Sequence, residues 1–399
     1  MKKLLTMIGA ITLGATTTTN VAGCECSPTK NNEDKKIDLN TIITDKNLDS
    51  IYIGQAEKVT KSQILEKIKA KNTSVAKLTE NDFEFIGESA TGKNSTIIGK
   101  NNYKNEVSLT FNNNNFKAID INGIANNAII QNIKKNNNLT YISTTDGHIY
   151  KSIDNKKFTP ITVIKGTINS LNSDKDGNIY VTSSGDDNVY KINNMDVLTK
   201  MTGTTGTIKA LTVDKRGNIY AGSSNGNFYQ STDKETFTIK KNIGYAIWNL
   251  TIAPNGTIYV ATPSGIFKSI NNGKEFDSIY STPTTKSLTV DNNNNIYFGN
   301  NNGSIYKSTD GTTFTQMKIV VSGVVTNLTT DKDGNIYAVN KNSRGNDSVY
   351  KSINNNTFTA MTGTTGTINS LIIDNNNNIY VAGAVKNKAT IYLSEKLSH

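Results

Sequence analysis

From residue 139 onward, apolar and polar positions alternate in short runs that recur at a nearly fixed interval. A run such as "SLTVD" (287–291) or "SLIID" (370–374) comes first. A turn signal, "DGN" or "NNN", follows, then a second run opening on "IY". Aligned on the tyrosine of that phrase, the units place Tyr141, Tyr180, Tyr220, Tyr259, Tyr297, Tyr337 and Tyr380 at spacings of 39, 40, 39, 38, 40 and 43 residues. A second aromatic follows each: Tyr150, Tyr190, Tyr229, Phe267, Tyr306, Tyr350 and Tyr392. A third anchor follows six times: Phe158, Leu198, Phe237, Phe276, Phe314 and Phe358. Period-two runs bounded by Asp, Asn and Gly predict strands, and each unit holds four of them.

Four strands in about 40 residues is the period of a β-propeller blade. The last unit ends "IYLSEKLSH" and lacks a fourth strand. "FNNNNFKAI" (111–119) reads like "STDGTTFTQM" (308–317), with Phe116 in the part of Phe314. An N-terminal strand that completes the last blade removes the exposed sheet edges. The expected fold is mainly β: a seven-bladed propeller of four-stranded blades over 113–399, closed by strand 113–119. Its repeated tyrosines are expected to pack between blades. Residues 38–112 do not share the repeat. "TKSQILEKIKAKN" (60–72) predicts a helix, with Thr60 and Gln63 as a capping box and Ile64, Leu65 and Ile68 on one face. "TIIT", "FEFIGE", "STIIG" and "EVSLTF" around it predict strands, hence a small α+β domain. That domain is expected to act as a spacer.

The N-terminus changes the picture. Lys2 and Lys3 precede a short apolar run, Leu4 to Ala15, and then "VAGC" (21–24). Small residues before a cysteine resemble the lipobox of bacterial lipoprotein signal peptides. The resemblance implies a signal peptide over 1–23, a lipid on Cys24, a polar tether over 24–37, and a membrane-anchored, extracellular location. Cys26 is the only other cysteine, so no disulfide framework is expected. No later segment is long and apolar enough to predict a membrane-spanning helix. Net charge is +10, yet the lysines are scattered among acids and the only arginines are Arg216 and Arg344. A nucleic-acid partner would demand a basic stripe, so none is expected. The leader and the Lys/Asn-rich composition resemble surface lipoproteins of wall-less bacteria (mollicute type), some of which carry a short repeated domain like 38–112.

"SINNGKEF" (269–276) looks like the Asp-box of sialidase-type (BNR) propellers, with Asn271 in the Asp place. "STDGTTF" (308–314), "STDKETF" (231–237) and "SIDNKKF" (152–158) are looser versions. The box is a folding device: a carboxylate or amide accepts local backbone N–H groups and holds a turn. The sialidase resemblance implies an arginine triad that two arginines cannot supply. Glycosidases need two facing carboxylates, whereas acids here recur in turns blade after blade. "DKDGN" (174–178 and 331–335) lacks the later carboxylate of a calcium loop and reads as a hairpin turn. The units also resemble NHL-type and lyase-type propellers. Metal-dependent members of those groups need clustered ligands, and the only histidines are His148 and His399. No enzyme activity, cofactor or metal is expected.

The exceptions to the repeat mark a candidate ligand face. "NIGYAIWNL" (242–250) replaces the "TGTTGTI" type of linker and carries Tyr245 and the only tryptophan, Trp248. "NKNSRGNDSVY" (340–350) carries Arg344 and Asp347, and "SSGDDN" (183–188) carries Asp186 and Asp187. Aromatic, amide and carboxylate groups together suit a sugar or a peptide. Against that, a tryptophan that begins a strand is ordinarily buried. The expected protein is a monomeric, lipid-anchored surface binder, adhesin or lectin-like, for a glycan or protein of a host or the environment. The alternatives are a degenerate glycoside hydrolase or lyase, and a scaffold for membrane-protein assembly. A glycan binder requires Trp248 and Tyr245 exposed; an enzyme requires carboxylates converging in the channel mouth.

Overall fold

The recurring phrase "DKDGNIY" closes a circuit of hydrogen bonds in the structure, a computed structural model that describes residues 35–56, 58–86, 94–281, 285–317, 323–342, 345–353 and 357–396. Asp174 Oδ1 accepts the backbone N–H groups of Asp176 (3.0 Å) and Asn178 (2.9 Å). Its Oδ2 accepts Asn178 Nδ2 and the Tyr180 hydroxyl, both at 2.9 Å. Gly177 supplies the positive φ the turn needs, at 90°. Asp214, Asp291 and Asp331 repeat the circuit with Tyr220, Tyr297 and Tyr337. The tyrosine enters the sequence with its Asp for a physical reason: a buried phenol without a partner costs about 1–3 kcal/mol. Tyr180 is fully buried against Leu211, Ile219 and Tyr229 of the following blade. The tyrosines therefore do pack between blades.

These units form seven four-stranded sheets among the described residues, each an antiparallel meander. Blade 1 runs Ile130–Asn136, Leu139–Thr144, His148–Ser152 and Thr159–Val163; blades 2 to 6 begin at Ile168, Ile208, Asn249, Thr285 and Val324. Blade 7 takes Thr367–Ile373, Ile379–Val385 and Lys388–Ser394 from the C-terminal end, and Lys117–Ile119 as its fourth strand. In that closing pair Ile391 lies opposite Ile119, and Leu393 opposite Lys117. Each first strand touches the first strands on both sides, blade 7 against blade 1 included, so they line a central channel. The fourth-to-first linkers and second-to-third turns lie on one face, called upper here. The other two turn types lie on the lower face.

Blades 1 and 4 depart from the Asp circuit. Ala253 replaces the Asp in blade 4. In blade 1 Lys135 stands there, and its Nζ reaches the Tyr380 hydroxyl of blade 7 (3.2 Å) and Asn155 Oδ1 (3.1 Å). The seam between last and first blade is thus locked by a different device. One anchor expectation fails. Leu198 is 37% exposed; Met201, 1% exposed, packs beside Phe237 of the next blade, as Met361 packs beside Phe116. The fourth strand of blade 2 ends at Lys200, and Met201 just beyond it turns inward.

Residues 37–114 form a separate α+β unit with its own core, including Leu39, Ile43, Ile64, Ile68 and Phe83. Helix Lys61–Lys71 carries the Thr60–Gln63 capping box. "TIIT" is not a strand: Leu39–Ile42 is one helical turn, capped by Asp38, which accepts the Asn40 N–H at 2.8 Å. Leu39 and Ile43, four residues apart, are both buried on that turn. The strand missing from the pattern is Asn47–Tyr52, which pairs in parallel with Glu106–Asn114. The unit grips the lower edge of blade 7. Gln55 Nε2 donates to Asn377 O (2.6 Å) and Ser394 O (3.2 Å), and the Tyr52 hydroxyl accepts the Glu395 N–H (2.8 Å). Burial there, against Glu395, pushes the Tyr52 phenol up to about 12. No helix of the described residues is long and apolar enough to cross a membrane.

Candidate ligand-binding site at the upper channel mouth

Near its upper end the first strand of six blades carries a β-bulge, one residue opposed to nothing on the second strand. The extra residues are Gln131, Asn169, Lys209, Lys286, Thr326 and Asn369. In blade 4 Trp248 holds the same place, directly before Asn249–Ile252, and its N–H donates to Ala261 O at 2.9 Å. A bulge re-aims a side chain out of the pleat. Here residues from this ring line a cavity of about 440 Å³ in the channel, together with Asn132, Asn172, Asn327 and Lys341.

Part of the ring, with Asn132 beside it, stitches the blades together. Asn369 Nδ2 donates to Ile130 O (2.9 Å), Asn132 Nδ2 to Ile168 O (3.0 Å), and Asn169 Nδ2 to Ile208 O (3.0 Å). The joints 7–1, 1–2 and 2–3 are made this way. The next three blades carry Lys209, Trp248 and Lys286 at the position. Trp248 is half-buried, and the Lys286 ammonium lies 4.2 Å from its ring centroid, a cation–π contact. Lys341 Nζ of blade 6 reaches Asn369 Oδ1 of neighbouring blade 7 at 2.8 Å.

The other sequence candidates sit elsewhere on the upper face. Tyr245 is 47% exposed, but its ring packs on Phe267 (centroids 6.0 Å apart) and does not line the cavity with Trp248. Asp347 is buried and ties two segments: its Oδ2 accepts the Ile368 N–H at 2.8 Å. Asp187 is exposed and does the same for blades 2 and 3, accepting the Gly206 N–H at 2.9 Å. Asp186 accepts the Tyr190 hydroxyl and the Asn188 N–H. Desolvation pushes its carboxyl up, but those bonds outweigh it and hold the pKa low. The same bond pushes the Tyr190 phenol up to about 12. The three acids are thus engaged in holding loops and do not converge on a ligand position. Arg344 and Cys24 lie outside the described residues.

The repeated "MTGTTGTI" linkers have a matching role. The Tyr229 hydroxyl bonds Thr205 N and O (3.1 and 2.9 Å), and Tyr392 bonds Thr365 in the same manner. Phe267 has no hydroxyl to be gripped, and the Tyr245 ring of its linker is laid against it. Sequence reasoning missed the bulge ring. The signal lies 11 residues before the repeated tyrosine, where units 2 to 7 read Asn, Lys, Trp, Lys, Thr, Asn.

The four Asp-box-like turns lie on the lower face. Asp310 Oδ1 accepts Thr312 N and Thr313 N (2.8 and 2.7 Å), and Asn271 Oδ1 accepts Glu275 N (3.0 Å). Two lower clefts, of about 820 and 630 Å³, are lined by such turns. The first "DKDGN" turn is bridged by Lys234, 3.0 Å from Asp174 and 2.5 Å from Asp176. In the second, Asp333 pairs with Lys396 at 2.7 Å. Among the described residues no three His, Cys, Asp or Glu side chains cluster as metal ligands. His148 lies on the upper face of blade 1, its Nδ1 3.0 Å from Asp146 Oδ2.

No protein-family model matches the chain, and no curated protein matches it in sequence. Solved structures do match. A catalytically inactive virginiamycin B lyase from Staphylococcus aureus, solved with quinupristin, is 14% identical with a TM-score of 0.61, covering 70% of this chain and 99% of the lyase. The extracellular domain of the one-component system BT4673 from B. thetaiotaomicron is 16% identical with a TM-score of 0.58, over 71% of this chain and 40% of that one. The WD40 propeller domain of Doa1 is 14% identical with a TM-score of 0.58, over 70% and 97%. An enzyme, an extracellular domain and a WD40 domain share little beyond architecture, and what the likeness establishes is that this chain is a seven-bladed β-propeller.

Proposed function

We propose that the protein is a lipid-anchored binding protein of the cell surface that takes a polar ligand, glycan or protein, at its upper channel mouth. The observation that carries the reading is Trp248, the chain's only tryptophan, set half-buried in the wall of a polar cavity rather than in a blade core. Amphipathic rings at a wet mouth are suited to hold ligands. The lining is amide, hydroxyl and ammonium, which suits binding; the acids of the face hold loops. The α+β unit grips the lower edge of blade 7, which leaves the upper mouth open when the lipid on Cys24 anchors the chain. Tyr245 offers a second exposed ring on the same face.

The test uses the chain from residue 27 onward, free of the lipid. Its binding to a panel of glycans and immobilised surface proteins is measured by interferometry, beside Trp248→Ala. Saturable binding, weakened at least about tenfold in the variant, is the expected result, as loss of a central aromatic anchor costs about 2 kcal/mol or more. Binding unchanged in Trp248→Ala moves the site off the mouth. No saturable binding overturns the reading and directs attention to the blade sides as a scaffold.

A further inference from the structure

We propose that the upper mouth is an anion site, and that its ligand is an acidic saccharide whose carboxylate or sulfate groups are received by the arc Lys209–Trp248–Lys286. The proposal rests on the surface-binding reading and names the chemistry of its ligand. Three observations carry it.

The first is position. The bulge residue does structural work at blades 7 and 2, where Asn369 and Asn169 bond the carbonyl of the next blade, and in blade 1 Asn132, next to the bulge residue Gln131, does the same. At blades 3, 4 and 5 the carboxamide is gone, and two lysines flank a tryptophan in consecutive places. Neighbouring blades are joined there by their packed tyrosines and apolar side chains and, after blade 5, by Ser287 Oγ, which donates to Val325 O at 3.1 Å.

The second is charge. Lys209 and Lys341 line the cavity, Lys286 is held beside it against the Trp248 ring, and the residues lining the cavity include no Asp or Glu. Several lysines elsewhere do find acids: Lys234 pairs with Asp174 and Asp176, Lys241 with Glu275, Lys396 with Asp333. Like charges at a concave, low-dielectric mouth focus a field that concentrates an anion. The chain's overall charge of +10 has the same sign.

The third is pre-organisation. The Trp248 ring holds the Lys286 ammonium in place, so less side-chain freedom is lost when it meets an oxyanion. In the next blade Thr326 Oγ1 is buried in the same ring and has no hydrogen-bond partner among the described residues. The saccharide's ring face has Trp248 to lie against and its acid group has the lysines.

Because Trp248 is the only tryptophan, its fluorescence reports this mouth without a label. The chain from residue 27 is titrated with a hyaluronan hexasaccharide, a sulfated heparin-derived hexasaccharide and neutral chitohexaose, following Trp248 emission. The two acidic probes separate carboxylate from sulfate as the source of the charge. The expected result is a saturable emission change with at least one acidic sugar, at least about tenfold tighter than with chitohexaose and weakening as salt rises. Lys209→Gln/Lys286→Gln weakens it at least about tenfold, while Lys156→Gln/Lys157→Gln, which removes two exposed charges from the lower face, leaves it within about twofold. Melting curves of both double variants check that the fold is retained. Equal loss in both variants overturns the proposal in favour of bulk ion exchange. Chitohexaose bound as tightly as the acidic sugars overturns it and leaves the surface-binding reading standing. No response to any of the three sugars overturns it too, and the broader panel then decides that reading separately.

Discussion

At the residue scale the chain is governed by short carboxylates and amides that hold turns. In three of the blades the acceptor on the third-to-fourth turn is Asp154, Asp233 or Asp310; in blade 4 it is Asn271. Bonds from the Lys156 and Lys157 N–H groups bring Asp154 down to about 2, and equivalent backbone bonds hold Asp233 and Asp310 below the ordinary range. The sign of the linkage follows. A carboxyl whose folded pKa is depressed stabilises the fold fully above its unfolded value, near about 4, and loses that contribution as pH falls towards the folded value. Melting temperature is therefore expected to fall between about pH 4 and pH 2. Asn271 shows that an amide makes the same kind of bond without titrating. Asp154→Asn/Asp233→Asn/Asp310→Asn is expected to flatten that acid slope with little change at pH 7, measured by circular-dichroism melts. An unchanged slope would place the acid sensitivity elsewhere.

At the element scale, strands are fixed by what lies at their ends. The fourth strand of blade 2 is short, Leu198–Lys200, and its apolar contribution comes from Met201 just beyond it. Deleting a buried side chain removes its transfer energy and leaves a cavity. Met201→Ala is expected to cost about 2–4 kcal/mol and Leu198→Ala under about 1 kcal/mol, read from urea denaturation. The reverse order would restore Leu198 as the anchor. The linkers follow the same logic: the two "TGTTG" linkers, before blades 3 and 7, are each the partner of a tyrosine hydroxyl on the blade that follows.

At the scale of the molecule, closure sets the stability. Blade 7 takes its fourth strand from Lys117–Ile119, so the two ends of the propeller are tied through one sheet. Each blade keeps an outer edge, a short fourth strand; without Lys117–Ile119 the longer strand Lys388–Ser394 of blade 7 is left with unpaired N–H and C=O groups on that side. A chain begun at residue 124 lacks that strand and is expected to lose its sharp calorimetric transition and aggregate. A chain begun at residue 115 keeps it and is expected to melt cooperatively, though without the bonds from Tyr52 and Gln55. Equal behaviour of the two would show that the three-stranded blade suffices.

The sequence by itself determined the blade. Its period, its Asp–Gly–Asn turns and its paired aromatics are local: they act within a single ~40-residue unit, where hairpin geometry and alternation leave a clear trace. For that reason the count of seven and the mainly-β class were legible, as were the capping box at Thr60 and the buried tyrosines. Where one segment could serve two ends the trace failed: "TIIT" carries apolar residues that suit a strand, and Asp38 made them a helical turn. Trp248, singled out by being an exception, does stand at the channel, whereas Asp186, Asp187 and Asp347 are loop ties. Only the tertiary structure decided which residues share the mouth. Lys209, Trp248 and Lys286 come from three blades, roughly 40 residues apart in sequence by the blade period. They share the mouth because Lys209 and Lys286 sit at bulges, Trp248 sits at the equivalent place directly before its strand, and the ring brings all the first strands to one axis. Proximity created by closure leaves no trace in a local pattern, since no residue in one unit records which residue stands beside it in the next.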